Sequence, residues 1–211
     1  MLVERIMTSP CITIHEEKTI DDAFTLMTEE DIRHLPVVDD RMVVKGIISD
    51  RDVNLALPSM LGENAVKLNA SVTEIMSRNV MTCHPLDFVE DIAVDFYELA
   101  IGSIPVVRNG RCVGIVTQKD MLNTFLELTG VMTPGSVIEV AVPDVAGIMH
   151  EVTKVFQVHQ TSIESILVYR DKENKDQKLV LVRMQSMNPG PIIDALDAAG
   201  YKVRTPLDMR L

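Results

Sequence analysis

Two short segments of the chain place a hydroxyl side chain three residues before an aspartate. Ser49 precedes Asp52, and Thr117 precedes Asp120, each at the end of an apolar run. Each hydroxyl residue closes a predicted strand and opens a predicted helix, where free backbone N–H groups and the helix dipole favour an anion such as phosphate. The carboxylates suit a pair of neighbouring hydroxyls such as a ribose diol. The pattern therefore predicts two sites for a phosphate and a ribose.

The same spacing has a second interpretation. A hydroxyl residue followed three positions later by an acid is also a capping box, which starts a helix and binds nothing else. Arg51 and Lys119 lie two residues after the two hydroxyl residues, where their charge can balance a phosphate. The residues alone leave the cap and the ligand site as open alternatives.

Both segments belong to an internal repeat. The offset between its copies is 69 residues at first and 68 after one deletion in a loop. Val3, Ile6, Met7, Thr13, His15, Asp22, Pro36, Val37 and Val38 recur as Val72, Ile75, Met76, Thr82, His84, Asp91, Pro105, Val106 and Val107. A colinear match of this length indicates a structural duplication.

Local signals in each copy predict the order β-α-β-β-α. Thr19-x-x-Asp22 and Asp87-x-x-Glu90 are typical of helix starts, and Asn109-Gly110 is a hairpin turn. The predicted strands are residues 35–38, 43–48, 104–107 and 112–116. We interpret residues 58–70 as the connection between the copies.

The composition changes near residues 131–135. Residues 1–135 hold 11 basic and 21 acidic residues, whereas the remainder holds 9 and 10, so nearly all of the net charge of −11 lies before this point. The tail has predicted strands at 137–142, 163–169, 179–184 and 201–204, and helices at 148–159 and 191–199. This β-α-β-β-α-β order suits a ferredoxin-like sandwich, with Gly200 ending the second helix.

Charge and cysteine content limit the possible partners and compartment. A net charge of −11 and a pI near 4.9 have the wrong sign for binding nucleic acid or an anionic membrane. Three cysteines without Cys-x-x-Cys spacing favour neither a disulfide framework nor structural zinc. Charges near the start and the lack of a long apolar run predict no signal peptide and no membrane span. We therefore expect a cytoplasmic protein.

The residues resemble known families over essentially the whole chain. The repeat, with Arg33-His34-Leu35-Pro36-Val37-Val38 and Gly-x-x-(Ser/Thr)-x-x-Asp, resembles tandem CBS domains that form a Bateman module. The tail, in which Asp144-Val145-Ala146-Gly147 opens a helix, resembles an ACT domain. Together with the His84–Glu90 segment and Met187-Asn188-Pro189, this arrangement resembles the acetoin-utilisation B-type proteins. The expected fold is α+β, with CBS domains at 1–65 and 66–130 and an ACT domain at 136–211.

The resemblance implies a set of nucleotide-binding residues. In nucleotide-binding CBS domains the acid holds ribose and the hydroxyl residue lies near phosphate. On this chain the set is Ser49, Arg51, Asp52, Thr117, Lys119 and Asp120, with Thr13, Ile14, Thr82 and Cys83 lining an adenine and Arg33 and His34 reaching the ligand. An exposed strand-end pair is an equally good interpretation of Arg33 and His34. Two matching copies within a CBS pair favour at least one working site.

The implied function is regulatory. We expect a cytoplasmic sensor of an adenine nucleotide (AMP, ADP or ATP, with NAD or S-adenosylmethionine possible) that controls acetoin or related carbon catabolism. It would act as a homodimer or larger assembly on an unidentified protein. The alternative is a structural interaction module whose clefts are empty.

Two further expectations concern the tail and catalysis. Asp144 and Gly147 either cap a helix or hold a second small ligand, and Ala146 stands where ACT domains usually have proline. Cys83 and His84 are neighbours on a predicted strand and face opposite sides, and the histidines lack metal-ligand spacing. We therefore expect neither an enzyme nor a metal or redox cofactor.

Overall fold

A computed structural model describes residues 1–56 and 69–205. The chain divides into two compact units, Met1–Leu122 and Asn123–Leu211. The predicted connection at 58–70 lies mostly outside the described residues. The predicted change at 131–135 falls just beyond a helix, Gln118–Thr129, that crosses the division.

The first unit contains both copies of the repeat. The first copy comprises β1 (Ile14–His15), α1 (Ile20–Glu29), β2 (His34–Val38), β3 (Val44–Ser49) and α2 (Asp50–Ala56). The second comprises α3 (Val89–Glu98), β4 (Ser103–Arg108), β5 (Arg111–Thr117) and α4 (Gln118–Thr129). In both copies the last two strands form an antiparallel hairpin that leads directly into the final helix. The predicted order of elements is confirmed, except that a single bridge between Cys83 and Val106 stands where β1 pairs in the first copy.

The two predicted helix starts differ in outcome. The Thr19 hydroxyl accepts a hydrogen bond from the N–H of Asp22, whose carboxylate accepts one from the N–H of Thr19, so the capping box of α1 is confirmed. The prediction for Asp87 is wrong, because Phe88 occupies the N-cap position of α3 and no side chain caps this helix. The Asp87 carboxylate instead accepts a hydrogen bond of 2.7 Å from the N–H of His84.

The hairpin of the second repeat turns where predicted. Asn109 and Gly110 have φ angles of 52° and 77°. Two successive positive φ angles define the turn that matches the twist of antiparallel strands, and this conformation favours asparagine followed by glycine.

The two repeats exchange their first residues. Val3, in a short 3-10 helix that starts the chain, packs in the hydrophobic core of the second repeat beside Ile92 and Ile104. Its counterpart Val72 packs in the core of the first repeat. Each core is therefore completed by a segment from the other copy.

In each exchanged segment, a methionine of one repeat packs on a glycine of the other. A Cβ atom on Gly46 would lie 2.4 Å from the sulfur of Met76, and one on Gly114 would lie 2.8 Å from the sulfur of Met7. Backbone bridges from Ser77 to β3 and from Thr8 to β5 accompany the two contacts. Because each glycine has no side chain, the methionine of one repeat can pack directly on the hairpin of the other.

The second unit continues with the predicted β-α-β-β-α-β order. Its elements are β6 (Ser136–Pro143), α5 (Ile148–Val158), β7 (Ile163–Arg170), β8 (Gln177–Met184), α6 (Gly190–Ala198) and β9 (Lys202–Arg204). The sheet order is β7-β8-β6-β9 and every pairing is antiparallel, which is the ferredoxin-like arrangement. Gly200, with a φ of 88°, follows α6 as predicted.

One prediction for the start of α5 is wrong. The predicted cap by Asp144 is not formed, because Gly147 is the N-cap of α5 and no side chain caps this helix. The Asp144 carboxylate lies 2.6 Å from the Lys178 ammonium group instead. A Cβ on Gly147 would meet nothing within 4 Å, so its φ of 85°, rather than close approach of another group, explains the glycine.

Candidate functional site

The first candidate site lies where β3 passes into α2. The carboxylate Oδ2 of Asp52 accepts hydrogen bonds from the Ser49 N–H at 2.8 Å and from the Ser49 hydroxyl at 2.6 Å. The N–H of Asp52 donates to the Ser49 hydroxyl at 3.3 Å. Both side chains are half-buried. The pair thus forms the capping box that was one of the two interpretations.

The second site repeats this geometry where β5 passes into α4. The carboxylate Oδ2 of Asp120 accepts from the Thr117 N–H at 2.8 Å and from the Thr117 hydroxyl at 2.7 Å. The N–H of Asp120 donates to Oγ1 of Thr117 at 3.3 Å. Because each carboxylate is held by two donors, its position is set before any ligand arrives.

Each site borders the first residue of the neighbouring strand. His34 is paired with Ser49 in the first hairpin, and Ser103 is paired with Thr117 in the second. One residue earlier, the Arg33 carbonyl accepts the first N–H of α2 at 2.9 Å. His34 and Ser103 are therefore equivalent positions, and they differ in size and chemistry.

His34 connects the two sites. A Cβ atom on Gly102 would lie 2.6 Å from Nε2 of His34, so the imidazole of one repeat rests on the backbone of the other. Burial lowers the pKa of His34, and the carboxylates of Asp50 and Asp52 partly oppose this effect. The two predicted sites are thus brought next to each other and are chemically unequal.

Ser103 is a residue that the sequence analysis does not select. Its side chain is 6% exposed, and its hydroxyl has no hydrogen-bond partner among the described residues. A buried hydroxyl without a partner is costly, so such a group calls for an explanation. The only available sequence signal is its position as the counterpart of His34 in the repeat.

The residues predicted to line an adenine fall into two groups. The side chains of Ile14 and Cys83 are buried in the cores of their repeats, and so provide packing. Thr82 is exposed and Thr13 is half-buried. Of these predicted residues, the two threonines are the ones that keep side-chain surface.

The predicted cations lie at the surface. Arg33, Arg51 and Lys119 are exposed, and no ion pair of these three is found within residues 1–56 and 69–205. Arg33 also lines a cavity of about 160 Å³ between α1 and α2, together with Asp50. Neither Ser49 nor Asp52 lines that cavity, and Arg33 is the one member of the predicted nucleotide-binding set that does.

The described part of the chain holds neither a metal-ligand cluster nor a membrane-spanning helix. Among the described residues, no group of three or more histidine, cysteine, aspartate or glutamate side chains is placed to hold a metal ion. No helix of the described ranges has the length and apolar character needed to cross a bilayer.

The duplicated hairpin-and-helix fold and the paired sites define a tandem-repeat module. The CBS domain family matches residues 3–59 and 72–127, which are the two copies of the repeat. The chain therefore belongs to the CBS domain family, and its first unit is a tandem CBS pair.

Curated relatives share this part of the chain. A homoserine O-acetyltransferase of Methanococcus vannielii is 36% identical over 125 residues, which are 59% of this chain and 25% of that protein. An L-aspartate semialdehyde sulfurtransferase of Methanocaldococcus jannaschii is 34% identical over 59% of this chain and 23% of its own length. The matched region thus spans about a quarter of these relatives.

Solved structures of CBS pairs are also similar. The CBS pair of protein MJ0100, in complex with 5′-methylthioadenosine and S-adenosylmethionine, has a TM-score of 0.53 and 34% identity, covering 59% of this chain and 95% of that one. A protein described as an acetoin utilization protein (AcuB) from Vibrio cholerae has a TM-score of 0.55 and 30% identity, covering 63% and 95%. CBSX2 in complex with AMP has a TM-score of 0.54 and 26% identity, covering 60% and 97%. Two of these similar proteins, the CBS pair of MJ0100 and CBSX2, are therefore bound to adenosine ligands in their structures.

Proposed function

We propose that this chain is a regulatory protein whose CBS pair senses an adenine nucleotide or related adenosine ligand. The observation that carries the proposal is the pair of hydroxyl–carboxylate sites at the starts of α2 and α4, each held in the same geometry. The complexes of similar CBS pairs with AMP and with S-adenosylmethionine support an adenosine ligand. In each site the carboxylate of Asp52 or Asp120 would accept hydrogen bonds from the ribose hydroxyls.

The second repeat offers the better-supported site. Ser103 brings a buried hydroxyl without a described partner next to Thr117, and a ligand oxygen would supply that partner. The first repeat has the larger His34 at this position. We propose that the site of Thr117 and Asp120 binds more tightly, with Lys119 toward phosphate and Thr82 toward adenine. Ser49, Arg51, Asp52 and Thr13 form the weaker counterpart.

A ligand screen tests this function. A ligand that binds only the folded protein raises the melting temperature, and the rise grows with ligand concentration. We expect at least one of AMP, ADP, ATP, NAD and S-adenosylmethionine to do so, and calorimetry to give a saturable isotherm. If every compound leaves the melting temperature unchanged at millimolar concentration, the alternative of an interaction module with empty clefts is the better description.

We propose that the second unit acts as an ACT-type domain. Its sandwich of two helices on an antiparallel sheet, with the order β7-β8-β6-β9, supports this interpretation. The role of the unit would be to dimerise the protein and to transmit ligand occupancy to a partner protein. Such transmission requires a ligand that distinguishes two conformations, since equal affinity for both would shift nothing.

We further propose a role in acetoin or related carbon catabolism. The support is the resemblance to the acetoin-utilisation B-type proteins and the similarity to the Vibrio cholerae protein, which is 30% identical. Deletion of the gene should slow growth on acetoin and leave growth on glucose unchanged. Growth of the deletion strain on acetoin at the wild-type rate would contradict this assignment and leave ligand sensing untouched.

A further inference from the structure

Two of the three cysteines lie opposite each other across the two repeats. Thr8 and Ile115 form an antiparallel bridge, with N–H to O distances of 2.9 and 3.1 Å. Three residues onward from Thr8 is Cys11, and three residues back from Ile115 is Cys112. The bridge is an isolated one, and the chain that continues from it in the antiparallel direction brings Cys11 toward Cys112. A hydrogen bond of 2.9 Å from the Ser9 hydroxyl to the Val113 carbonyl keeps the segment beside β5.

The two thiols lie close enough to change each other's pKa. Cys112 is buried and Cys11 is half-buried, and their thiols donate to the carbonyls of Gly114 at 3.6 Å and Ile12 at 3.4 Å. The nearby Cys11 lowers the pKa of Cys112 against the opposing effect of burial, whereas Cys112 and burial raise the pKa of Cys11. The thiol of Cys11 thus stabilises a thiolate on its partner, and the thiolate is the form of cysteine that reacts.

Cys83 serves as an internal comparison. It is buried in the hydrophobic core of the second repeat, and burial is the main cause that raises its pKa to about 12. Of the three cysteines, it is the one that the structure does not pair with another thiol.

We propose that Cys11 and Cys112 form a reversible disulfide when the protein meets a peroxide. The thiolate of the pair attacks one peroxide oxygen and the O–O bond breaks. The departing hydroxide takes up the proton that this thiol released on ionising, which gives a sulfenic acid and one molecule of water. The second sulfur attacks the sulfenic sulfur, its thiol proton leaves with the displaced hydroxide as a second water, and the S–S bond forms. Two thiols are oxidised by two electrons and hydrogen peroxide is reduced to two waters.

This modification ties the two repeats together. Cys11 lies in the segment that leads into β1, and Cys112 lies in β5, which ends at Thr117 of the second candidate site. Reduction by a dithiol restores both cysteines by thiol–disulfide exchange. The proposal concerns chemistry at these two sulfurs and does not depend on whether a nucleotide binds.

Peptide mapping of the full chain tests the proposal. Cleavage after lysine and arginine places the three cysteines in separate peptides, residues 6–18, 79–108 and 112–119. After hydrogen peroxide treatment and alkylation, we expect peptides 6–18 and 112–119 to be linked, with peptide 79–108 alkylated. The intact protein should lose the mass of two hydrogen atoms and regain it with dithiothreitol.

Single variants provide the controls. Cys83→Ser should form the same link, whereas Cys11→Ser and Cys112→Ala should each abolish it while the circular dichroism spectrum stays folded. The proposal is overturned if Cys11 and Cys112 are both alkylated after peroxide treatment of the folded protein. It is equally overturned if the link involves Cys83 or joins two chains, which a non-reducing gel would show as a doubled mass.

Discussion

At the scale of single residues, Asp52 and Asp120 are the groups whose two roles, helix capping and ligand binding, an experiment can distinguish most directly. Both form a capping box, and Asp22 at the start of α1 forms the two backbone hydrogen bonds of such a box without the bond from hydroxyl to carboxylate. Asp22 therefore provides a control, since its substitution removes the cap of a different helix. Any effect that Asp52 and Asp120 show beyond that of Asp22 reports on a ligand.

We expect Asp120→Ala to weaken nucleotide affinity by about tenfold to a hundredfold, because loss of a charge-assisted hydrogen bond costs roughly 1.5–3 kcal/mol. Asp52→Ala should weaken it less. Asp22→Ala should lower the free energy of unfolding by about 0.3–1 kcal/mol and leave affinity unchanged. Calorimetric titration measures the affinity, and melting curves recorded without nucleotide measure the stability. If Asp120→Ala affects stability alone, the residue is a helix cap and nothing more.

His34 predicts a pH dependence of stability. Burial lowers its pKa in the folded protein, so the unfolded chain, with a histidine pKa near 6.5, binds a proton first as the pH falls. The free energy of unfolding should therefore decrease below about pH 6.5, and be unaffected by this residue at higher pH. His34→Gln should remove that part of the decrease. His159→Gln, at an exposed position, serves as the control. Parallel pH dependences for the wild type and His34→Gln would contradict the assignment.

At the scale of elements, the exchanged segments explain why the repeats form one unit. A Cβ on Gly46 would lie 2.4 Å from the sulfur of Met76 and 3.1 Å from its Cβ. Gly46→Ala should therefore force the segment of the second repeat away from the hairpin of the first, at a cost of about 1–3 kcal/mol. Urea denaturation measures the change.

A double-mutant cycle distinguishes this contact from a local effect of alanine on the strand. Met76→Ala leaves a cavity and destabilises the protein when made alone. Combined with Gly46→Ala, it should cost less than the sum of the single changes, since the added methyl group occupies space that the methionine leaves. Additive costs would show that the two residues are energetically independent.

At the scale of the whole molecule, the helices of the first unit expose large apolar side chains. They are Phe24 on α1, Leu55 on α2, Tyr97 on α3 and Leu122 on α4, with Tyr97 87% exposed. Apolar surface of this kind favours association. We expect a homodimer at micromolar concentration, with twice the chain mass of 23.5 kDa by light scattering. Tyr97→Asp with Leu122→Asp should give monomers if the CBS helices form the interface.

The corresponding change in the second unit is Val168→Asp. Val168 lies on the edge strand β7 and is 47% exposed. Monomers from this variant alone would assign dimerisation to the sheet of the second unit. A 23.5 kDa species for the unmodified chain would exclude both interfaces.

The candidate sites are built from the first unit, so residues 1–130 produced alone should fold and bind the same nucleotide. This segment ends just after α4, which finishes at Thr129. Calorimetry should give an affinity within about threefold of that of the full chain, a difference of roughly 0.7 kcal/mol. Loss of binding in the folded fragment would mean that the tail contributes to the site.

Much of the architecture follows from signals that act over a few residues. The repeat, the capping box of Thr19, the Asn109-Gly110 turn and the order of elements in the tail are all predicted from the sequence and present in the structure. The predictions for Asp87 and Asp144 fail because each carboxylate has a competing partner, the N–H of His84 in one case and Lys178 in the other. In each case the competing group lies outside the four-residue motif, so the motif alone does not predict it.

The sequence by itself therefore determined the duplication, the elements within each copy and the capping boxes of Thr19, Ser49 and Thr117, since turns and caps depend on neighbours along the chain. Tertiary structure alone decided that Val3 and Val72 exchange cores, that His34 rests on Gly102, and that Cys11 meets Cys112. Each of these choices joins residues tens of positions apart. Which distant surfaces meet depends on how the two copies fill space together, and no local pattern carries that information.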